Sequence, residues 1–193
     1  MGLDMEIVRR KAEVLDKAGI MTGAGYCLRY LDTVERARAY LADKEIAMVR
    51  GYYLTSFVST PWWREMVKSG GQLVEQTTHT VDLIRYLAGD VSKVYANMAL
   101  RVMRDIERID IPDVGSVILM FESGAVGHID TSFTQPDHRS GLEILGRDFR
   151  VSIDGSTLTI VEKERTITYH SKVDFYKEQD EAFIKPLQRG TRS

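Results

Sequence analysis

From about Val91 to Tyr169 the chain is written in short runs of alternating apolar and polar residues broken by turn residues, and this pattern restricts the fold most. A period of two makes one face of a strand apolar and the other polar, so each run needs a sheet with one buried face. Residues 94–102, 113–121, 125–133, 141–145, 149–153, 157–162 and 165–169 read as strands. Glu122-Ser123-Gly124 and Asp154-Gly155 supply turns between them. Upstream the periodicity is helical. Residues 5–18 place Ile7, Val8, Val14 and Leu15 on one face, and Gly19 stops them. Residues 20–30 read as a buried strand running into a loop. Asp32, three places before Glu35, reads as a capping box that opens a second helix. Residues 46–58 read as a strand, 73–88 as a strong helix ended by Gly89, and 175–187 as a closing helix. Helices first and a meander of strands afterwards predict an α+β fold: an open, mainly antiparallel sheet with helices on one face.

Size and charge exclude several function classes. The 193 residues suffice for one large domain or two small ones. A net charge of −2, with 44% hydrophobic and 28% charged residues, gives no basic footprint for nucleic acid or an anionic membrane. No apolar run approaches the roughly 18 residues of a membrane span. Met1 to Glu6 lacks the basic start and apolar stretch of a signal peptide. A single cysteine, Cys27, excludes an internal disulfide and fits a reducing compartment; the cytoplasm is expected, with Cys27 as a buried inert thiol.

The helix at 73–88 carries the one chemical constellation. At about 100° per residue, Glu75, His79, Asp82 and Tyr86 fall in a narrow stripe opposite Val81, Ile84, Leu87 and Ala88. A carboxylate one turn either side of an imidazole orients it and favours its charged form, as a general acid/base near neutral pH requires. The same stripe is also what the solvated face of any amphipathic helix looks like, and both readings stand. Gly70-Gly71 ahead of the helix lets backbone or ligand approach closely. Trp62-Trp63 reads either as core or as an aromatic wall for a sugar-like ring. His128 and His138 could join Glu75 and His79 in a metal set, but no tight ligand spacing supports one, and His170 reads as exposed. There is no G-x-S-x-G, no P-loop and no G-x-G-x-x-G.

The run Gly70-Gly71-Gln72-Leu73-Val74-Glu75-Gln76-Thr77-Thr78-His79-Thr80-Val81-Asp82-Leu83 resembles the substrate-domain motif of the Gfo/Idh/MocA family of NAD(P)-dependent sugar and cyclitol oxidoreductases. The Trp63-Arg64 pair, the Gly25-Tyr26…Arg29-Tyr30 segment and the turn at Phe121-Glu122-Ser123-Gly124 are similar to the family as well. The resemblance implies a Rossmann domain followed by a substrate domain whose open sheet serves oligomerisation. It implies hydride transfer at a substrate C–OH, with NAD or NADP held in the Rossmann half. His79 matches the catalytic acid/base. Glu75 matches the acidic position that orients it, with one methylene more than the usual Asp. Trp63, Arg64, Asp82, Arg29 and Tyr30 match positions expected to bind substrate. The dinucleotide motif and the Glu-Lys-Pro segment with its catalytic Lys are not in this sequence.

The expected organisation is therefore residues 1–30 as the end of a nucleotide-binding domain and 31–193 as a substrate-binding and oligomerisation domain. Such a chain would be inactive alone, would bind no metal and no cofactor tightly, and would form a homodimer or tetramer through its sheet around a sugar or polyol substrate. Two other classes remain: a non-catalytic binding or assembly module, and a metal-dependent hydrolase or isomerase using Glu75 and His79.

Overall fold

The computed structural model describes residues 2–188. Helix α1 (Met5–Ala18) is capped by the Asp4 carboxylate, which accepts the Ile7 N–H, and is closed by Gly19 at φ 65°. No residue of α1 is buried. The strand expected over 20–30 does not form: the chain is irregular to Tyr26 and then makes a single 3-10 turn at Cys27–Tyr30. A strand needs a neighbour to take its N–H and C=O groups, and none lies beside this segment. Cys27 is buried there, and burial pushes its thiol pKa up.

Helix α2 (Asp32–Leu41) starts without the expected capping box. The Asp32 carboxylate accepts the adjacent Thr33 N–H, and Glu35 instead accepts the Tyr86 hydroxyl at 2.6 Å. Strand β1 (Ile46–Leu54) follows, then the short helices α3 (Met66–Ser69) and α4 (Gln72–Glu75), then α5 (Thr78–Ala88). The remaining strands are β2 (Val91–Ala99), β3 (Val114–Phe121), β4 (Val126–Ser132), β5 (Arg139–Gly146), β6 (Phe149–Asp154), β7 (Thr157–Glu162) and β8 (Thr166–His170), and α6 (Phe175–Gln188) closes the described chain.

The strands form one eight-stranded sheet in the order β2-β3-β4-β1-β5-β6-β7-β8. Every pair is antiparallel except β1 with β4. The first strand in sequence thus sits in the middle, because the α3–α5 excursion and the β2-β3-β4 meander return β4 alongside it. Helices α2 and α5 cover one face with Val34, Ala37, Leu41, Ile84 and Leu87, packed on Val49, Ile129, Leu142, Ile144, Val151 and Leu158. At Gly51 a Cβ would lie 2.8 Å from Ile84 Cδ1 and 3.0 Å from Thr80 Cγ2, so α5 lies tight on β1. A second cluster gathers Trp63, Ile111 and Phe133 beneath the loop that joins β2 to β3.

The opposite face carries no helix among the described residues. Across it the register lines up Met120, Val126, Met48 and Leu145 in one row and Tyr95 and Ile118 in the next. Tyr95 is 62% exposed and Ile118 53%.

Candidate functional site

The site is built by a helix that breaks. Gly70 at φ 72° ends α3 and Gly71 at φ 77° opens α4, both in the left-handed region that favours glycine. The run expected as one helix over 73–88 is divided at Gln76–Thr77, where the N–H groups of both residues point to the Gln72 carbonyl. Side chains from the sheet hold this break. Buried Gln72 donates to the Ser132 carbonyl at 3.0 Å and accepts the Thr131 hydroxyl at 2.7 Å. Thr131 in turn lies 2.7 Å from the Thr77 hydroxyl. A buried network satisfied in this way specifies one geometry, since any member left unpaired would be costly.

The break separates the residues of the stripe. Glu75 ends α4, and its Oε2 accepts the Trp63 indole N–H at 2.8 Å. His79 lies in the first turn of α5, where its Nδ1 is buried and has no hydrogen-bond partner. The edge of Tyr26 meets its ring at a centroid distance of 6.2 Å. Asp82 is taken by Arg29 in a two-pronged pair, Nε to Oδ2 at 2.7 Å and Nη2 to Oδ1 at 2.5 Å. Tyr86 bonds to Glu35 and accepts from Arg38 at 3.0 Å. The expected stripe of an imidazole flanked by carboxylates is thus replaced by three separately partnered side chains and an imidazole whose Nδ1 is unpaired.

The residues expected to touch substrate are distributed differently from the sequence reading. Trp63 is buried against Phe133, ring centroids 4.9 Å apart, so it presents no open ring face. Trp62 is the exposed one and lies beside Glu75 and Leu3 on the rim of a shallow cleft. Arg64 donates to the Ser59 and Glu107 carbonyls at 2.9 and 3.1 Å and braces the β2–β3 loop. Arg29 and Asp82 hold each other. Tyr30 lines a separate cleft with Gly25, Gln179 and Phe183. Replacing Trp63 by Phe, which keeps the ring but removes the donor to Glu75, is expected to cost about 1–2 kcal/mol in urea unfolding.

Beside His79 the structure shows residues with no sequence signal. A partly open cavity of about 210 Å³ is lined by His79, Tyr53, Leu28, Ser140 and Ile153, among others. Tyr53 on β1 and Ser140 on β5 face each other across the sheet register, which no local pattern reveals. Burial pushes the Tyr53 phenol pKa up, and the Glu75 charge adds to the rise. His138 reaches Ser140 Oγ at 3.2 Å and stacks edge-on to Tyr53. His128 lies in the same cross-strand row as exposed Ile118, away from the helices, 3.7 Å from Asp130. The metal set is therefore not assembled, and among the described residues no group of three or more His, Cys, Asp or Glu could hold a metal ion.

The Gly70-Gly71 turn is not the kind that cradles a dinucleotide. Such a cradle needs a glycine-rich turn whose free N–H groups open a long helix. Here the Gly71 N–H is spent on Ser69 Oγ at 3.0 Å, and α4 behind it is a single turn. No helix among the described residues is long and apolar enough to cross a membrane.

The model of the GFO/IDH/MocA C-terminal domain matches residues 34–161 of this chain. The chain belongs to the Gfo/Idh/MocA family. The match runs from Val34 within α2 to Val161 within β7 and includes the whole Gly70–Leu83 motif. The myo-inositol 2-dehydrogenase of Thermotoga maritima is 26% identical over 203 positions, 98% of this chain and 61% of that protein. An uncharacterised oxidoreductase of Bacillus subtilis, YrbE, is 27% identical over 76% of this chain and 44% of its own length. Among solved structures, levoglucosan dehydrogenase in complex with NADH and levoglucosan has the same fold, at a TM-score of 0.77 and 19% identity, over 89% of this chain and 58% of that one. The UDP-N-acetylglucosamine 3-dehydrogenase of Acidithiobacillus ferrooxidans superposes at 0.79 with 17% identity, over 98% of this chain and 60% of that one. The chain spans less than two thirds of each of these relatives.

Proposed function

We propose that this chain is the substrate-binding and oligomerisation part of an NAD(P)-dependent oxidoreductase acting on a C–OH group of a sugar or cyclitol, with residues 31–193 forming that domain and 1–30 ending a nucleotide-binding one. The observation that carries the proposal is His79 itself: it lies within the family motif and lines a cavity, and its Nδ1 is spent on no hydrogen bond. An imidazole with a free nitrogen can take the proton of a substrate hydroxyl as the carbon is oxidised and return it in the reverse direction. Glu75, at the acidic position of the family motif, is held by the Trp63 indole N–H. Arg29 with Asp82, and Trp63 with Glu75, shape the site as two separate pairs, while Arg64 braces the loop that packs on Trp63. Hydride acceptance would belong to a dinucleotide held by the nucleotide-binding domain. The relatives support this reading: myo-inositol is named for one, and levoglucosan with NADH for another.

The test is titration of the pure chain followed through the His79 imidazole resonances. Cyclitols and sugars, myo-inositol and levoglucosan among them, are expected to shift these resonances, while NAD or NADP alone leaves them in place and no reduced nicotinamide forms. A panel with no effect on His79 would remove the substrate-binding assignment. Robust NAD(P)-linked turnover by the chain would remove the expectation that it is inactive alone.

The open sheet face supports the oligomerisation half of the proposal. Exposed Tyr95, Ile118, Met120, Val126 and Met48 form an apolar patch on it, bordered by Lys93, His128 and Arg50, that a second copy of the chain would bury. Val126→Glu is expected to weaken that association by about 2 kcal/mol or more, read by sedimentation. A wild-type chain that stays monomeric at high concentration counts against the assignment.

A further inference from the structure

The cavity beside His79 is built for something other than hydroxyls. Its wall is made chiefly of Leu28, Leu83, Leu142, Ile153 and Phe175. Several of the polar groups on the lining are engaged elsewhere. The Ser140 hydroxyl is with His138, the Ser140 carbonyl accepts the Gly155 N–H, and the Ser156 carbonyl accepts Thr33 Oγ1 and the Ser171 N–H. A polyol pressed wholly into this space would set most of its hydroxyls against carbon, a costly arrangement. An apolar group would meet carbon on most sides. At about 210 Å³ the cavity exceeds the roughly 150 Å³ that suffices for a benzene molecule. His79 and Tyr53 also line the cavity, so a ligand can fill it with one end while its hydroxylated part stays at the imidazole.

We propose that this cavity is a subsite for an apolar substituent carried by the hydroxylated ring that His79 acts on, so that the substrate class is an O-alkyl or O-aryl glycoside or a similarly substituted cyclitol. The proposal rests on the role given to His79 above. It also supplies a physical basis for selectivity. Binding a free sugar leaves the cavity to water with few polar partners, whereas an alkyl or aryl group displaces that water and removes apolar surface from solvent.

The experiment is a homologous series, glucose and the methyl through pentyl β-D-glucosides, with myo-inositol as an unsubstituted reference. Each is titrated into the wild-type chain, and both the His79 ring and the methyl resonances of Leu28, Leu142 and Ile153 are followed. Affinity is expected to rise about fourfold per added methylene until the cavity is full. Intermolecular NOEs should run from the alkyl terminus to those methyl groups. Leu28→Trp, which occupies the space, is expected to flatten the series. Equal affinities along the series with His79 responding to every member would overturn the subsite and leave the ring-binding role of His79 intact. No response of His79 to any sugar or cyclitol would overturn both. A gradient whose NOEs fall on Ile118 and Met120 of the open face would overturn the subsite as well.

Discussion

Replacing Asp113 by Asn is expected to lower the stability of the chain by about 3 kcal/mol at pH 7, read as a drop in the urea midpoint with an unchanged slope. Asp113 is 0% exposed at the foot of β3. Its carboxylate accepts the N–H of Arg101 at 2.8 Å, of Val102 at 2.7 Å and of Met103 at 2.8 Å. Burial alone would raise its pKa, but the N–H groups of Val102, Arg101 and Met103 together outweigh that and hold the carboxyl below its ordinary value of 3.8. An amide there turns a donor towards one of three donors and removes the charge from all of them. The loss extends to the site, because the loop that Asp113 ties down packs Met103, Ile109 and Ile111 around Trp63, the residue that holds Glu75.

The sign of the pH dependence follows. A carboxylate whose folded pKa is depressed leaves the unfolded chain holding more protons in that range. Its contribution is complete above the ordinary value and is lost as pH falls through the folded one. The difference between wild type and Asp113→Asn should accordingly be constant near neutrality and shrink as pH falls below 3.8. A difference that stays the same from pH 7 to pH 3 would show that the anchor does not depend on the ionised carboxylate.

The second large effect is expected at Arg29–Asp82. Asp82 is 8% exposed, and its two oxygens take both prongs of a guanidinium that also lies over the Tyr86 ring at 4.6 Å. Asp82→Asn leaves that guanidinium without its countercharge. The Arg29 side chain keeps 40% of its surface in water, so the cost is set at about 2 kcal/mol, below that of breaking a fully buried pair. A double-mutant cycle with Arg29→Met should show that most of this energy is coupling between the two. The pair also ties the Cys27–Tyr30 turn to α5, which keeps Tyr26 edge-on to His79 and Leu28 in the cavity wall. Loss of the pair should therefore displace the His79 ring resonances without any ligand. An unchanged His79 environment in Asp82→Asn would mean that the pair stabilises the fold but does not shape the site.

Much of the architecture is legible along the chain. The helix over 5–18, its stop at Gly19, the hairpin at Glu122-Ser123-Gly124 and the strand over 157–162 all lie where periodicity and turn chemistry put them. The family motif is equally visible, because it is a run of adjacent residues. The failures share a cause. The segment 20–30 has strand-like composition and no neighbouring strand. The capping box at Asp32 and Glu35 has the right spacing, but Glu35 is taken by Tyr86, 51 positions away. The helix over 73–88 has unbroken periodicity and is nevertheless divided.

Sequence alone determined what depends on near neighbours: the element types, the apolar faces, the turns and the motif that places His79 and Glu75 in a known family. Tertiary structure alone decided what those residues touch. The α4–α5 break is held by Thr131, which lies 54 positions from Thr77 and 59 from Gln72 along the chain. Glu75 faces Trp63 and Asp82 faces Arg29 for the same reason. The parallel seat of β1 beside β4, and the meeting of Tyr53 with Ser140 across β5, come from sheet register. Period and turn residues act over a few positions, whereas the partner of a buried polar group is chosen by whichever distant donor or acceptor the packed fold brings within hydrogen-bonding reach.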